Sequence, residues 1–355
     1  MNFFGKFIRK NWFGMISIGI SLTMLTVYLT AAGGVGALAA SVAGMDKRWL
    51  AGMIACTLAF WFTDGMVLHV YIRMKYKRHR YFQSLKTTMI GLLYNNLTPF
   101  ASGGQPMQVY DLARDGIDAG DAASFVAVKT ILYQTCLTVY AVAVLASTFS
   151  FFRAHIPRFG LLLWAGIGVN TVFVAALGAV AVNKSAARKL ARAAVGFLSA
   201  LRIIKKRERA LESLNKQITL FNESFALIYQ KKDRLILGFA LTVLQQTLYY
   251  CLPFCIYKSF SLSGSAFTLL LGAQAILSLI MAFVPLPGGS GVAESGFYLF
   301  FALFFAQSVI MPAVFIWRFL TYYSTIIVGG AVSFIDSRRS GKKADAGRKR
   351  KETAK

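Results

Sequence analysis

The chain has 355 residues, 56% of them hydrophobic, and its 39 Lys and Arg against 14 Asp and Glu give a formal net charge of +25. Apolar runs of the ~20 residues that cross about 30 Å of hydrocarbon recur along it, and residues 183–234 are its longest polar block, so a separate soluble catalytic module is not expected. In a soluble protein this charge would suggest nucleic acid, but 31 of the basic residues fall in four blocks between apolar runs, as cytoplasmic loops do.

The pattern predicts an all-α polytopic membrane protein with about six spanning helices plus two broken-helix hairpins, or eight spans, and it admits an inverted repeat. Residues 1–337 read as one membrane domain with a cytoplasmic amphipathic insertion at 183–234, and 338–355 as a basic cytoplasmic tail expected to be disordered. Lys6, Arg9 and Lys10 precede an uncharged run from Trp12 to Ala32. That run exceeds the usual 7–15 residue core of a signal peptide, so despite the cleavage lookalike Ala37-Leu38-Ala39 it is expected to stay as a first helix entering from the cytoplasm. An outer loop with Asp46, Lys47 and Arg48 leads to a second helix, Trp49 to Ile72, which carries Asp64 and His69 and returns to the basic loop Arg73–Lys86.

The next segment is a poor membrane helix: Asn95-Asn96-Leu97-Thr98-Pro99-Phe100-Ala101-Ser102-Gly103-Gly104-Gln105-Pro106. Proline removes a donor and disfavours helix before it, and paired glycines cost chain entropy, so the helix should unwind here. Irregular backbone at membrane depth persists only where protein or a wet cavity satisfies its polar groups, which makes the stretch a candidate substrate site. Charge parity sets its topology. A single crossing would turn the later basic blocks outward, whereas a re-entrant hairpin keeps all four inside. Lys86–Asn95 and Gln105–Arg114 are ten residues each, about 15 Å as helix and half the core thickness.

Spans at 122–150 and 159–182 follow, then the insertion, where Leu211, Leu214, Ile218, Phe221, Phe225 and Ile228 form a heptad stripe. Two readings stand level: a helix on the membrane surface, or one packed on the protein's cytoplasmic face. A self-association coiled coil is a weaker third. A span at 235–257 leads to apolar runs at 266–284 and 292–309 around Pro285-Leu286-Pro287-Gly288-Gly289-Ser290-Gly291, and a last span covers 312–335. Two spans or one hairpin entered from outside both suit 266–309. Run lengths of 18 or 19 favour spans, and an inverted repeat pairing Gly103-Gly104 with Gly288-Gly289 favours the hairpin.

Of the acidic residues only Asp64 and Glu294 lie within apolar runs, and Lys129 and Arg318 are the most clearly embedded cations. Buried charges are costly unless paired or hydrated, so each is a functional candidate. In the functional reading Arg318 or Lys129 holds a lipid phosphate and Glu294 changes protonation; in the plain one Glu294 and Arg318 staple two helices. Asn95, Asn96, Thr98, Ser102, Gln105 and Gln108 supply neutral polar groups that serve either a substrate or the unwound backbone itself. Gln245, Gln246, Tyr249, Tyr250 and Gln274 read as interhelical glue. The four cysteines, Cys56, Cys136, Cys251 and Cys255, read as small hydrophobes, and no metal, cofactor or catalytic set is expected.

The segment from Asn95 to Gln108, the segment Pro285-Leu286-Pro287-Gly288-Gly289-Ser290-Gly291-Val292-Ala293-Glu294, Arg318, and Lys129 within Val128 to Gln134 together resemble the flippase-like membrane domain of lysylphosphatidylglycerol synthases. The resemblance runs from the first helix to Ile335 and implies a lipid-translocating module. Full-length members add a soluble aminoacyl transferase domain, so this chain is expected to be a stand-alone member. Many members carry Glu where Gln105 stands, which points to Glu294 as the proton carrier. From their own chemistry and position, the candidate substrate contacts are Asn95, Asn96, Thr98, Gly103, Gly104, Gln105, Lys129, Gly288, Gly289, Glu294 and Arg318. Implied partners are anionic or aminoacylated membrane lipids and a lipid-synthesising enzyme, in a bacterial cytoplasmic membrane with both termini inside. The alternatives are a small-solute or ion transporter, and a non-transporting scaffold that presents the 211–228 helix.

Overall fold

A computed structural model describes residues 33–183, 207–282 and 284–353, with isolated positions in 19–30 and 185–193. The first predicted span and the start of the cytoplasmic insertion lie largely outside the described residues. All secondary structure among the described residues is helical. After α1 (Gly34–Ala43), which occupies part of the predicted outer loop, come α2 (Lys47–Lys75), α3 (Tyr81–Leu97), α4 (Gly104–Arg114), α5 (Ala119–His155) and α6 (Phe159–Val182). Then follow α7 (Arg207–Gln230), α8 (Lys232–Tyr250), α9 (Leu252–Ser259), α10 (Phe267–Met281), α11 (Val292–Phe301) and α12 (Gln307–Arg318). A π-helical turn at Phe319–Tyr323 leads into α13 (Ser324–Thr353).

Five stretches are long and apolar enough to cross a membrane: Lys47–Lys75, Ala119–His155, Phe159–Val182, Lys232–Ser259 and Gln307–Arg338. They match the predicted spans after the first, and the protein is a polytopic all-α membrane protein. Leu161, Trp164 and Val172 on α6 and Ile236 and Leu244 on α8 stand exposed, as helix surface facing hydrocarbon does. The polar punctuation falls where the sequence placed it. Only Cys251 separates α8 from α9, which has Pro253 in its first turn, so that span bends and does not stop.

The helices beside the two breaks are shorter than their apolar runs. α3, α4, α10 and α11 have 17, 11, 15 and 10 residues, all below the ~20 of a full span. α11 ends early because the Phe301 carbonyl accepts from the amides of both Phe304 and Phe305, at 2.9 Å each, closing a turn. The run 292–309 therefore lacks the helix length that favoured reading it as a span. In contrast, α13 is long, running from Ser324 to Thr353. The tail has no proline and is rich in Lys, Arg and Ala, all good helix formers.

Two apolar cores organise the bundle. The larger joins α5 and α8 to α12 and is dominated by aromatic rings such as Phe297, Phe301, Phe305 and Trp317. The smaller lies where α2, α4, α5 and α7 meet, around Leu68, Tyr71, Leu112, Phe125 and Ile228. This second core decides between the readings of the amphipathic insertion: α7 packs on the protein. A Cβ on Gly120 would sit 2.1 Å from the Gln217 carbonyl oxygen, so the glycine lets α7 lie directly on α5. Gln217 Oε1 accepts from the Gly120 amide at 2.6 Å, and Ser224 Oγ donates to Asp121 at 2.6 Å.

Close crossings and one buried histidine make this architecture testable. A Cβ on Gly238 of α8 would lie 1.7 Å from the Tyr71 hydroxyl of α2, whereas one on Gly52 of α2 meets nothing within 4 Å. Gly238→Ala should therefore cost about 1–3 kcal/mol through overpacking. In a fluorescence melt in detergent it should lower the melting temperature by several degrees, with Gly52→Ala as the silent control. In the α2–α3 loop, burial and then the neighbouring His69 push His79 from 6.5 down to about 4. Its ring meets Ser84 Oγ at 2.9 Å. The folded protein keeps His79 neutral where the unfolded chain already takes a proton, so its contribution is lost as pH falls from 6.5 toward 4. The melting temperature should fall across that window, and His79→Gln should flatten this part of the profile.

Candidate substrate site between the two helix breaks

The two breaks share one backbone conformation. Thr98 (φ −114°, ψ 149°) precedes Pro99, and Leu286 (φ −109°, ψ 145°) precedes Pro287. Each proline opens a single 3-10 turn. The two residues after it are left-handed, with φ of 55° and 49° at Phe100 and Ala101 and of 56° and 63° at Gly288 and Gly289. Each turn is then closed by a serine that returns both its amide and its hydroxyl to the proline carbonyl: Ser102 to Pro99 at 3.2 and 2.9 Å, Ser290 to Pro287 at 3.1 and 3.0 Å. The equivalence is Pro-x-x-Ser-Gly with Pro-x-x-Ser-Gly. It places Phe100-Ala101, and not Gly103-Gly104, opposite Gly288-Gly289. The breaks also touch, since the Phe100 amide donates to the Val284 carbonyl at 3.3 Å. The Tyr322 hydroxyl donates to the Asn96 carbonyl at 3.5 Å.

Most polar groups of the first break serve its own backbone. Asn95 Oδ1 accepts from the Gly104 amide at 2.9 Å and Thr98 Oγ1 from the Gly103 amide at 2.8 Å, while Thr98 donates to the Tyr94 carbonyl at 2.7 Å. Gly103 and Gly104 are small for the same reason: added Cβ atoms would strike Thr98 at 2.5 Å and Asn95 at 2.2 Å. Asn96 and Gln105 are half-buried. Their side chains make no hydrogen bond among the described residues, which leaves them as the neutral polar groups available to a ligand. Gly288 and Gly289 are likewise tight, with a Cβ meeting the Tyr322 ring at 2.0 Å and the Met281 methyl at 1.8 Å.

Both predicted embedded cations are ion-paired. Arg318 Nε donates to Glu294 Oε1 at 2.7 Å, and its other nitrogens reach the Gly288 carbonyl at 3.1 Å and Ser290 Oγ at 3.4 Å. Glu294 Oε2 accepts from the Gly291 amide at 2.6 Å, capping α11. This is the helix staple foreseen as the plainer role, and it holds the second break as well: the guanidinium also lies 4.5 Å from the Tyr322 ring centroid. Lys129 Nζ sits 2.9 Å from Asp64 Oδ1, which also accepts from Gln245 Nε2 at 2.9 Å. One face of α8 bridges the two pairs, because Tyr249, four residues after Gln245, contacts Thr321 and lies within electrostatic reach of Arg318. Tyr133 of α5 lies near both Tyr249 and Asp64.

Two buried acids escaped the sequence reading. Asp111 is 1% exposed and Asp121 fully buried. Asp111 accepts from Arg114 at 2.7 Å, lies 3.1 Å from Lys86, and binds the Thr87 hydroxyl. Lys86 and Arg114 also reach Asp336 of α13. Asp121 gathers Lys75 at 2.8 Å, the Tyr76 hydroxyl at 2.6 Å and Ser224. Both acids stand at the ends of apolar runs, where sequence alone classes a charge as loop. The signal available was the run of acids Asp111, Asp115, Asp118 and Asp121, set after the basic block Arg73–Lys86 that supplies Lys75 and Lys86.

Removing one partner of a buried pair strands the other charge, at a cost of about 3–5 kcal/mol. Arg318→Ala should therefore melt far below wild type, while Arg318→Met combined with Glu294→Gln should recover most of the loss. Differential scanning of the purified single and double variants measures both.

The sequence family described as the lysylphosphatidylglycerol synthase TM region matches residues 14–329. A UPF0104 membrane protein of Archaeoglobus fulgidus is 25% identical over 292 residues, covering 79% of this chain and 85% of that protein. Those matched residues contain both Pro-x-x-Ser-Gly breaks and both ion pairs. The chain belongs to the family of the lysylphosphatidylglycerol synthase transmembrane region.

Proposed function

We propose that the protein translocates a phospholipid or a lipid-linked headgroup across the cytoplasmic membrane in the manner of a flippase, and that it is not an enzyme. The observation that carries this reading is the meeting of two matching helix breaks beside two buried ion pairs. Non-helical backbone and charge are both expensive in hydrocarbon, and their concentration at one place suits a polar group in transit. Short helices on either side of each break support two re-entrant hairpins, the first entered from the cytoplasm and the second from outside. That arrangement is an inverted repeat of the kind that gives alternating access. The four basic blocks then face the cytoplasm with both termini.

In this reading the headgroup phosphate is held by Lys129, with Asn96 and Gln105 as neutral contacts and the acyl chains left in lipid. Asn95, Thr98, Gly103, Gly104, Gly288, Gly289, Glu294 and Arg318 shape the site. A lipid-synthesising enzyme would supply the substrate. The scaffold alternative draws less support, since α7 turns residues of its apolar stripe, Ile228 most completely, against the protein and does not present them to a partner. In liposomes reconstituted with the purified protein and fluorescent lipids, headgroups should become accessible to a membrane-impermeant quencher faster than in empty vesicles. Lys129→Met should slow this at least about tenfold, the loss of one charge-assisted contact. Rates equal to empty vesicles for anionic, aminoacylated and polyprenyl lipids alike would refute lipid movement. Uptake of a small solute in the same vesicles would install the solute-transport alternative.

A further inference from the structure

The two ion pairs are built differently. Both oxygens of Glu294 are committed, one to Arg318 and one to the Gly291 amide. Arg318 is tied further to the Gly288 carbonyl and Ser290, and a guanidinium does not give up its proton. Three of its five N–H groups hold Glu294 and the second break, so a ligand that drew Arg318 away would unmake that break. The Lys129 ammonium, by comparison, makes a single polar contact among the described residues, to Asp64 Oδ1. An ammonium has three donors, so two remain for a ligand. Gln245 Nε2 donates to Asp64 in a way that suits either state of the acid, because a protonated carboxyl still offers its carbonyl oxygen. Among the described residues the other titratable groups facing Asp64 are Tyr133 on α5 and Tyr81 on α3, while Tyr323 of the π-helical turn that packs on α2 faces Arg318 and Glu294. From α7 and α9, the groups meeting α2 do so elsewhere, Ser224 at Lys75 and Cys255 at Cys56.

As it stands the Asp64–Lys129 pair is neutral, and a phosphate entering it would add an uncompensated negative charge in a poorly solvated place. Protonating Asp64 removes that obstacle. The Asp64 carboxylate takes one proton, its ion pair with Lys129 opens, and the ammonium pairs with one phosphate oxygen, so the site stays neutral. We propose that Asp64 is the proton site that controls phosphate binding at Lys129, so that each phosphodiester headgroup is bound together with one proton. This assigns the coupling role to Asp64 and leaves Glu294 structural. It rests on the lipid-translocation reading only for the consequence that the proton travels with the lipid; the linked binding stands by itself.

The test is calorimetric titration of the purified full-length protein in detergent. The probes are dihexanoyl phosphatidylglycerol and, separately, dimethyl phosphate, a diester that does not titrate near neutrality. In two buffers of different ionisation heat at pH 7, wild type should take up close to one proton per diester bound. Affinity should tighten up to about tenfold for each unit that pH is lowered. Asp64→Asn should bind with an affinity independent of pH. Proton-linked binding of either probe supports the site, and the tighter probe tells whether its ligand is a lipid headgroup or a free anion. Binding of either probe without proton uptake, binding of neither, or a wild-type pH slope in Asp64→Asn would overturn the proposal. Because wild type alone gives the proton count, poor folding of the variant leaves the test intact. Failure of lipid movement in vesicles would end the translocation reading while leaving proton-linked binding to be judged by these titrations.

Discussion

A charge among apolar helices has to be met by an opposite charge from another part of the chain, and that requirement decides which helices touch. Asp64 draws α5 to α2 through Lys129, Glu294 draws α12 to α11 through Arg318, and Asp121 draws α2 and α7 to the start of α5. Buried pairs of this sort contribute little net stability against apolar replacements, but misplacing one partner is very costly. Their effect is therefore on register. With its acid fixed at position 64, α2 has one rotation that reaches Lys129 and Gln245 together, and the apolar packing around Tyr71 follows from it.

The same accounting governs the breaks. Unwinding a helix exposes amides and carbonyls that hydrocarbon cannot satisfy. Asn95, Thr98 and Ser102 satisfy those of the first break, Ser290, Glu294 and Arg318 those of the second. Their cost is left-handed backbone. Two glycines accept it readily at the second break, but Phe100 and Ala101 adopt it at the first against their side chains' preference, at about 1–2 kcal/mol per residue. Such strain persists only where the surroundings hold it, here the hydrogen bond from Phe100 to Val284 and the packing of α3 on α4.

Much of this was legible in the sequence. Span positions follow from apolar runs and basic blocks, and both breaks announce themselves by Pro and Gly. What pairs with what was harder. Glu294 with Arg318 was readable because they are opposite charges embedded in consecutive helices, whereas Asp64 with Lys129 joins segments 65 positions apart with no pattern linking them. The kinship of the breaks was on the page as Pro-x-x-Ser-Gly, yet the doubled glycines drew the eye to the wrong register, since Phe100-Ala101 does not look like a left-handed pair. Asp111 and Asp121 were hidden by position: burial at a helix end is set by tertiary neighbours, which local composition does not encode. Helix lengths at the second break failed for a similar reason, because the turn after Phe301 contains neither Pro nor Gly.

The last helix has a mechanical consequence. α13 lies so close to α3 that a Cβ on Gly329 would sit 2.8 Å from the Met89 carbonyl oxygen. The turn before it reaches Asn96 through Tyr322, and Asp336 further along engages Lys86 and Arg114. α3, α4 and α13 are thus pinned at three heights into one lever. Between that lever and the second break, the only backbone hydrogen bond among the described residues is the one from Phe100 to Val284. Side chains close the rest of that seam: the Tyr322 ring lies against Gly288 and the Arg318 guanidinium while its hydroxyl reaches Asn96, so one aromatic residue joins both breaks to the last helix.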